Sequence, residues 1–367
     1  MVDPRIDKLA DILVNYSVKV QPGDWVMIMA DVLAIPLVTE VVKHVTIAGG
    51  HPTLKFDSDL FRESFLRHAN EEQLTWISPA DELTVEKSDV NINLRASRNT
   101  RALTGIDPQT QRLASQAVSP IRQRIMERAA AGDFRWTLTQ FPCEAYAQDA
   151  DMSLREYEDF VYAATFADQE DPVACWNEIH DMQQKLVDWL KGKDKIEVRG
   201  PNIDMTLSMK DRIWINSDGK RNMPSGEIYT GPVENSAEGW VKFTYPAIRE
   251  GREVEGVELQ FKEGKVVSAK AQKNEEYLLS QLDSDAGARY LGEFAVGTNY
   301  QIQRFTKSIL YDEKIGGTLH MAVGAGYPDT GSKNQSQVHW DFICDMREES
   351  EIFVDGELFY KNGQFEM

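Results

Sequence analysis

The sequence predicts an α/β protein with an N-terminal open α/β sheet domain over residues 1–190 and a C-terminal mixed α+β domain over residues 191–367. Two observations carry this reading. Apolar strand-like runs alternate with amphipathic helix-like runs through the first half, the pattern of a parallel sheet covered by helices. After Gly192-Lys193-Asp194 the pattern changes to strands of alternating polarity, as antiparallel sheets with one wet face show. A chain of 367 residues is long enough to build two full-sized cores.

Residues 5–16 open the chain as an amphipathic helix, with Ile6, Leu9, Ala10, Ile12 and Leu13 on one face. Residues 24–30 form a continuous apolar strand, 36–47 a helix ended by Gly49-Gly50, and 51–56 the next strand. A strand–helix–strand unit of this kind is right-handed with parallel strands. Strands at 89–94 and 134–138 continue the sheet, with one helix over 108–131 between them. Helices follow at 153–165 and 172–191. Beyond the change of character come strands at 195–199, 204–209, 212–216, 255–261 and 265–269. A hairpin at 352–354 and 357–360 turns on Asp355-Gly356, a favoured two-residue turn pair.

Composition excludes several classes of function. The chain carries 40 basic and 59 acidic residues, a net charge of −19, which repels phosphate backbones and disfavours nucleic acid as a partner. Arg95, Arg98, Arg101, Arg112, Arg122, Arg124 and Arg128 form the one basic stretch. It has no interleaved aromatics and reads as a solvated face or an inter-domain contact, with an anion-binding patch as the alternative. Apolar runs are far too short for a membrane span, and the N-terminus lacks the charge-then-apolar pattern of a signal peptide. Three dispersed cysteines, Cys143, Cys175 and Cys344, argue for a reducing, cytoplasmic setting and against cysteine-held zinc. No phosphate-binding loop, nucleophile-elbow serine or dinucleotide fingerprint is present; Gly324-Ala325-Gly326-Tyr327 is too short for the last of these.

The residues that carry chemistry lie in the second half. His339 and Asp341 stand two apart in an apolar run at 338–343, so both point to one face while Trp340 points to the core. Such a pair is either a hydrogen bond within the core or a pair of metal ligands. Glu227, Glu293 and His320 each sit at the edge of an apolar run, and Glu313 lies in Asp312-Glu313-Lys314. Each alone is compatible with a solvated turn or strand end. Together, three glutamates, two histidines and an aspartate have the makeup of a two-metal site, in which carboxylates bridge cations about 3.5–4 Å apart. The four remaining histidines, His44, His51, His68 and His180, are dispersed through the first half and read as structural or surface groups.

The motifs around Glu227 (222–230), Gly292-Glu293, 312–320, Gly326-Tyr327-Pro328 and His339-Trp340-Asp341 resemble, in order, those of the aminopeptidase T-like dinuclear metallopeptidases. The resemblance covers most of residues 190–367 and, more loosely, the first half. It implies a homodimeric metallo-aminopeptidase that hydrolyses N-terminal residues from short peptides. It implies two divalent ions (Zn, Co, Mn or Mg) held by Glu227, Glu293, Glu313, His320, His339 and Asp341. Glu293 would serve as general base and Tyr327 would stabilise the reacting carbonyl. One departure stands out: several family members carry Asp-Glu-Asn-Ala where this chain has Asp312-Glu313-Lys314-Ile315, with a different spacing, so Glu313 is the ligand the motif supports least. A rival reading is a ring-cleaving dioxygenase for dihydroxypyridines, with one iron on His320, His339 and Asp341; such an enzyme has no use for Glu227 and Glu293. A non-catalytic binding protein that kept the fold would not need the full ligand set.

Overall fold

The computed structural model describes residues 3–249 and 251–366. The chain separates into two compact units, one comprising Met1–Cys175 and Gly219–Pro224, the other Trp176–Asp218 and Ser225–Met367.

The first unit is built on a five-stranded, all-parallel sheet. Its strand order is His51–Asp57, Trp25–Asp31, Val90–Arg95, Arg135–Gln140 and Asn222–Met223. Val26, Ile28, Val90, Ile92 and Leu94 are fully buried, as parallel strands covered on both faces require. The first helix, Pro4–Asp11, starts with Pro4 and is capped by the Asp3 carboxylate, which accepts the Arg5 amide at 2.9 Å. A π-helical stretch, Ile12–Ser17, continues it. Helix Ile35–Ile47 buries Leu37, Val38, Val41 and Val45. Between His51–Asp57 and Val90–Arg95 lie three helices the periodicity does not reveal: Asp59–His68, Glu71–Thr75 and Pro79–Lys87. Their signal is in the caps, since Ser58, Asn70 and Ser78 each accept a first-turn amide.

The single helix expected over 108–131 is two, Pro108–Ala117 and Ser119–Ala130. Pro120 cannot donate to an upstream carbonyl, so the first helix stops and the second starts with proline in its first turn. The basic stretch makes local contacts: Arg124 pairs with Glu86 at 2.6 Å, and Arg128 donates to the Val85 and Ser88 carbonyls.

In the second unit, two antiparallel sheets share one apolar core. The eight-stranded sheet runs Lys265–Lys270, Glu258–Lys262, Glu238–Lys242, Ile203–Ser208, Lys195–Gly200, Glu351–Val354, Glu357–Lys361 and Gln364–Phe365. The five-stranded sheet runs His339–Asp345, Thr318–Gly324, Leu291–Gly297, Glu227–Thr230 and Ile215–Ser217. Val198, Met205, Val241 and Leu259 from the first sheet and Ile228, Phe294, Leu319 and Phe342 from the second belong to the same buried cluster. Helix Pro172–Leu190 adds Leu186 and Leu190 to it, and so packs with this unit although it precedes the expected boundary near residue 190. The Asp355-Gly356 hairpin turn is present, with both residues at positive φ (51° and 83°). Among the described residues no helix is long and apolar enough to cross a membrane.

Gly292 sets the geometry at the head of Leu291–Gly297. The register slips between Leu291 and Glu293, and a side chain at 292 would run into the Ala325 carbonyl. Gly292→Ala is expected to cost about 1–3 kcal/mol through overpacking. Thermal denaturation followed by circular dichroism checks this; an unchanged midpoint would show that the Ala325 backbone gives way freely.

Candidate metal centre

Strand side chains alternate, so one face of the five-stranded sheet enters the core and the other carries the polar groups. Ile228, Phe294, Val296, Leu319, Met321, Trp340 and Phe342 are in the core. Glu227, Glu293, His320, His339 and Asp341 emerge on the opposite face. The register brings them together: Glu293 pairs with Ala322, which pairs in turn with Asp341. Ala295 lies between Tyr229 and His320. Ala295 and Ala322 are fully buried and end in a methyl group, so the longer side chains beside them can converge above the sheet.

Glu293 is the hub of the cluster. Its Oε1 lies 3.7 Å from His320 Nε2 and its Oε2 lies 3.2 Å from His339 Nε2. Glu227 Oε2 is 3.3 Å from the same His320 nitrogen, and Asp341 Oδ1 is 3.6 Å from His339 Nε2. His339 Nδ1 donates to the Ala325 carbonyl at 2.8 Å. That bond turns Nε2 inward, the arrangement by which metal-binding imidazoles are oriented. Tyr327 follows in the next turn, with Oη 3.3 Å from His339 Nε2 and its ring against Tyr229 and His339. It is 39% exposed, which puts it on the solvent side of the cluster.

All six expected acidic and imidazole residues are thus brought together. They form three overlapping groups, Glu227/Glu293/His320, Glu293/His339/Asp341 and Glu313/His320/Asp341. Within each group the donor atoms lie within 4.8 Å of one another. His44, His51, His68 and His180 belong to none of these; His44 contacts Asp7 and His180 contacts Asp218. Trp340 is buried in the core behind the cluster.

The donor set fits divalent cations. Glu227 Oε2 and Asp341 Oδ1 are buried and, apart from their approaches to His320 and His339, have no hydrogen-bond partner. Leaving a buried polar atom unpaired costs about 1–3 kcal/mol, and more when it is charged. Carboxylates and imidazoles of this kind suit divalent cations.

Sequence reasoning missed the part played by Lys314. Its side chain is fully buried, with Nζ in contact with Glu313 Oε1 and 3.6 Å from Glu227 Oε1. The available signal was the lysine itself, standing where related motifs carry asparagine. It follows the short helix Ile309–Asp312, and its backbone is tied down by Asn299, whose amide donates to the Lys314 carbonyl at 3.1 Å. Asp312 is buried too and accepts the Thr306 amide and hydroxyl at 2.7 and 2.9 Å; burial pushes its carboxyl up to about 8.

The members of the cluster compete for protons. Burial opposes charge on every member, and the groups that face each other decide which charges survive. Glu293 is held down to about 2 by the two imidazoles, against its burial. Burial pushes Glu227 up to about 7 and Asp341 up to about 6. The surrounding carboxylates outweigh burial at His320 and His339, raising them to about 9 and about 10. Both rings are therefore biased toward the protonated form, and a ring so biased would have to lose its proton to bind a metal through Nε2. Metal uptake at pH 7 is expected to release protons, and affinity to rise as the pH climbs toward 9–10. Calorimetric titration in buffers of different ionisation enthalpy measures the release; a heat that does not depend on the buffer would contradict it.

Comparison with known proteins agrees in fold and in family. The family model described as thermophilic metalloprotease (M29) matches residues 2–365. The chain is 28% identical to "Aminopeptidase 2" of Geobacillus stearothermophilus, covering 96% of this chain and 94% of that protein. It is 26% identical to "Aminopeptidase T" of Thermus thermophilus, covering 98% and 95%, and 27% identical to "Aminopeptidase PepS" of Streptococcus thermophilus, covering 96% and 94%. The solved structure of wild-type AmpT from Thermus thermophilus superposes with a TM-score of 0.86 over 99% of each chain at 22% identity, which establishes the two-part α/β fold. The mononuclear-iron dioxygenase alternative finds no support: the matched family is one of metalloproteases, and Glu227 and Glu293 stand among the residues an iron triad would use.

Proposed function

The chain belongs to the thermophilic metalloprotease (M29) family, and from that premise we propose that it is an aminopeptidase removing N-terminal residues from short peptides. One observation carries the reading: the two oxygens of Glu293 face two different imidazoles, His320 and His339. A carboxylate so placed would be able to serve two cations. Glu227, Glu293 and His320 would hold one divalent ion and Glu293, His339 and Asp341 the other, with Glu313 near one ligand of each, His320 and Asp341. Zinc, cobalt, manganese and magnesium all suit such oxygen-rich ligands.

When bound, the two cations supply Lewis acidity and make hydroxide accessible near neutral pH. The protein's own groups do the rest. As the family resemblance implies, Glu293 would accept the proton of the attacking water, on whichever oxygen a cation leaves free, and return it to the leaving amine. Tyr327 Oη, on the exposed side of His339, donates to the carbonyl oxygen as charge gathers there. Burial and the nearby carboxylates push its hydroxyl well above the usual tyrosine range, so it remains a donor at neutral pH. One cation, or a carboxylate of the cluster, would hold the substrate's free α-amino group, which would limit cleavage to free N-termini. Three unbridged cysteines agree with a reducing, cytoplasmic setting, and a homodimer is the assembly that the family resemblance implies.

Metal analysis joined to a peptidase assay tests the reading. About two divalent ions per chain and chelator-sensitive release of p-nitroaniline from aminoacyl-p-nitroanilides are expected. One iron per chain without peptidase activity would overturn it. Glu293→Gln should keep the fold and lower kcat by about 10²–10⁴; turnover within a few-fold of the unmodified enzyme would remove Glu293 from its role. Tyr327→Phe should lower kcat by roughly 10²–10³ with little change in KM, and an effect on KM alone would make Tyr327 a binding group.

A further inference from the structure

Lysine is among the side chains least often buried in full, because its ammonium must be paired to leave water. Lys314 is 0% exposed and lies inside the carboxylate cluster. Its position is imposed by the backbone. The Lys314 amide donates to the Tyr311 carbonyl at 3.0 Å, and its carbonyl accepts from Asn299 at 3.1 Å. The Asn299 carbonyl in turn accepts the Gly316 amide at 3.0 Å, and the Asn299 side chain donates to the Ser225 carbonyl, two residues before Glu227, at 2.9 Å. The ammonium and Glu227 are therefore tied to the same scaffold.

The contacts of this ammonium are one-sided. It touches Glu313 Oε1 and stands 3.6 Å from Glu227 Oε1. Neither carboxylate belongs to the Glu293/His339/Asp341 group. One oxygen of Glu227 is thus turned to a fixed positive charge. The other, Oε2, faces His320 and the interior of the Glu227/Glu293/His320 group. A cation entering that group shares its carboxylate with an ammonium that cannot move away, in surroundings where like charges are poorly screened. A cation in the Glu293/His339/Asp341 group has no ligand in ion-pair contact with Lys314; of its three ligands only Asp341 feels the ammonium, and at longer range.

Resting on the two-cation reading above, we propose that Lys314 is a built-in cation of the centre that makes its two metal positions unequal. The Glu293/His339/Asp341 position fills tightly. The Glu227/Glu293/His320 position fills weakly and exchanges, with Lys314 holding Glu227 as a one-oxygen ligand. Lys314 is a positioning residue here and does not touch substrate.

The test is metal binding by the full chain, stripped with chelator and titrated with Co²⁺ by calorimetry and by visible absorption, with ion content measured after gel filtration in metal-free buffer. The unmodified chain should show two events separated by roughly tenfold or more in affinity, and should retain about one ion per chain. Lys314→Met should tighten the second event by roughly tenfold or more and retain close to two ions, whereas Lys314→Arg, which keeps the charge, should behave as the unmodified chain does. Glu227→Gln should abolish the weak event and leave the tight one. Two equally tight ions in the unmodified chain would overturn the inference while leaving the two-metal centre standing, and this outcome needs no variant to fold. A weaker or unchanged second event in folded Lys314→Met would overturn it as well. Failure of the stripped chain to bind any divalent ion would overturn the centre itself, and the inference with it.

Discussion

Four carboxylates and two imidazoles converge on one half-covered face of a β-sheet, and charge of this density has to be balanced where it sits. Water cannot do so for Glu227, Glu293 and His320, which are almost wholly buried. The protein balances part of it internally, through the Lys314 ammonium and the protons held on His320 and His339. The remainder is a demand that a divalent metal would meet. Burial of a charge without a partner costs far more than a fold of marginal stability tolerates, so the composition of the cluster follows from the need for cations.

The surrounding sheet is shaped to this constraint. Core residues on alternate positions of Leu291–Gly297, Thr318–Gly324 and His339–Asp345 anchor the strands from behind. Ala295 and Ala322 keep the spaces between the ligand side chains low, and the absence of a side chain at Gly292 allows the Ala325 carbonyl to approach. That residue's carbonyl also orients His339. The turn after Thr318–Gly324 therefore acts twice, setting an imidazole and carrying Tyr327 to the edge of the cluster. Sites built on packed strands hold such geometry more tightly than sites built on loops. Here only Glu313, Lys314 and Tyr327 come from outside strands.

Lys314 illustrates how a site can be tuned without a change of ligand. On the proposal above, an ammonium beside Glu227 and Glu313 acts most strongly on the position that uses Glu227 and more weakly, through Asp341, on the other. The loop that carries it is pinned by Asn299, itself crowded against Gly226 at the head of the strand bearing Glu227. A substitution in that loop would reach the centre through the backbone, with no contact to any cation.

Much of this was legible in the sequence, for reasons of local periodicity. Alternating apolar and amphipathic runs determined the parallel sheet, and two-residue alternation placed His339 and Asp341 on one face with Trp340 behind. Residue type alone marked Glu227, Glu293 and His320 as polar groups awkwardly placed beside apolar runs. The short helices after His51–Asp57 and the break before Pro120 were visible only in caps and in one missing amide, signals that periodicity ignores. What the tertiary structure alone decided is non-local. Strand Asn222–Met223 pairs with Arg135–Gln140 across some eighty residues of chain, helix Pro172–Leu190 gives its apolar face to the second core, and antiparallel register sets Glu293, Ala322 and Asp341 in one row. Nothing in a linear pattern says that Lys314 is buried against Glu227, because that contact depends on where two distant segments of backbone are fastened together. The amino acids determined which groups were available to a metal centre; the pairing of the strands decided which of their atoms face one another.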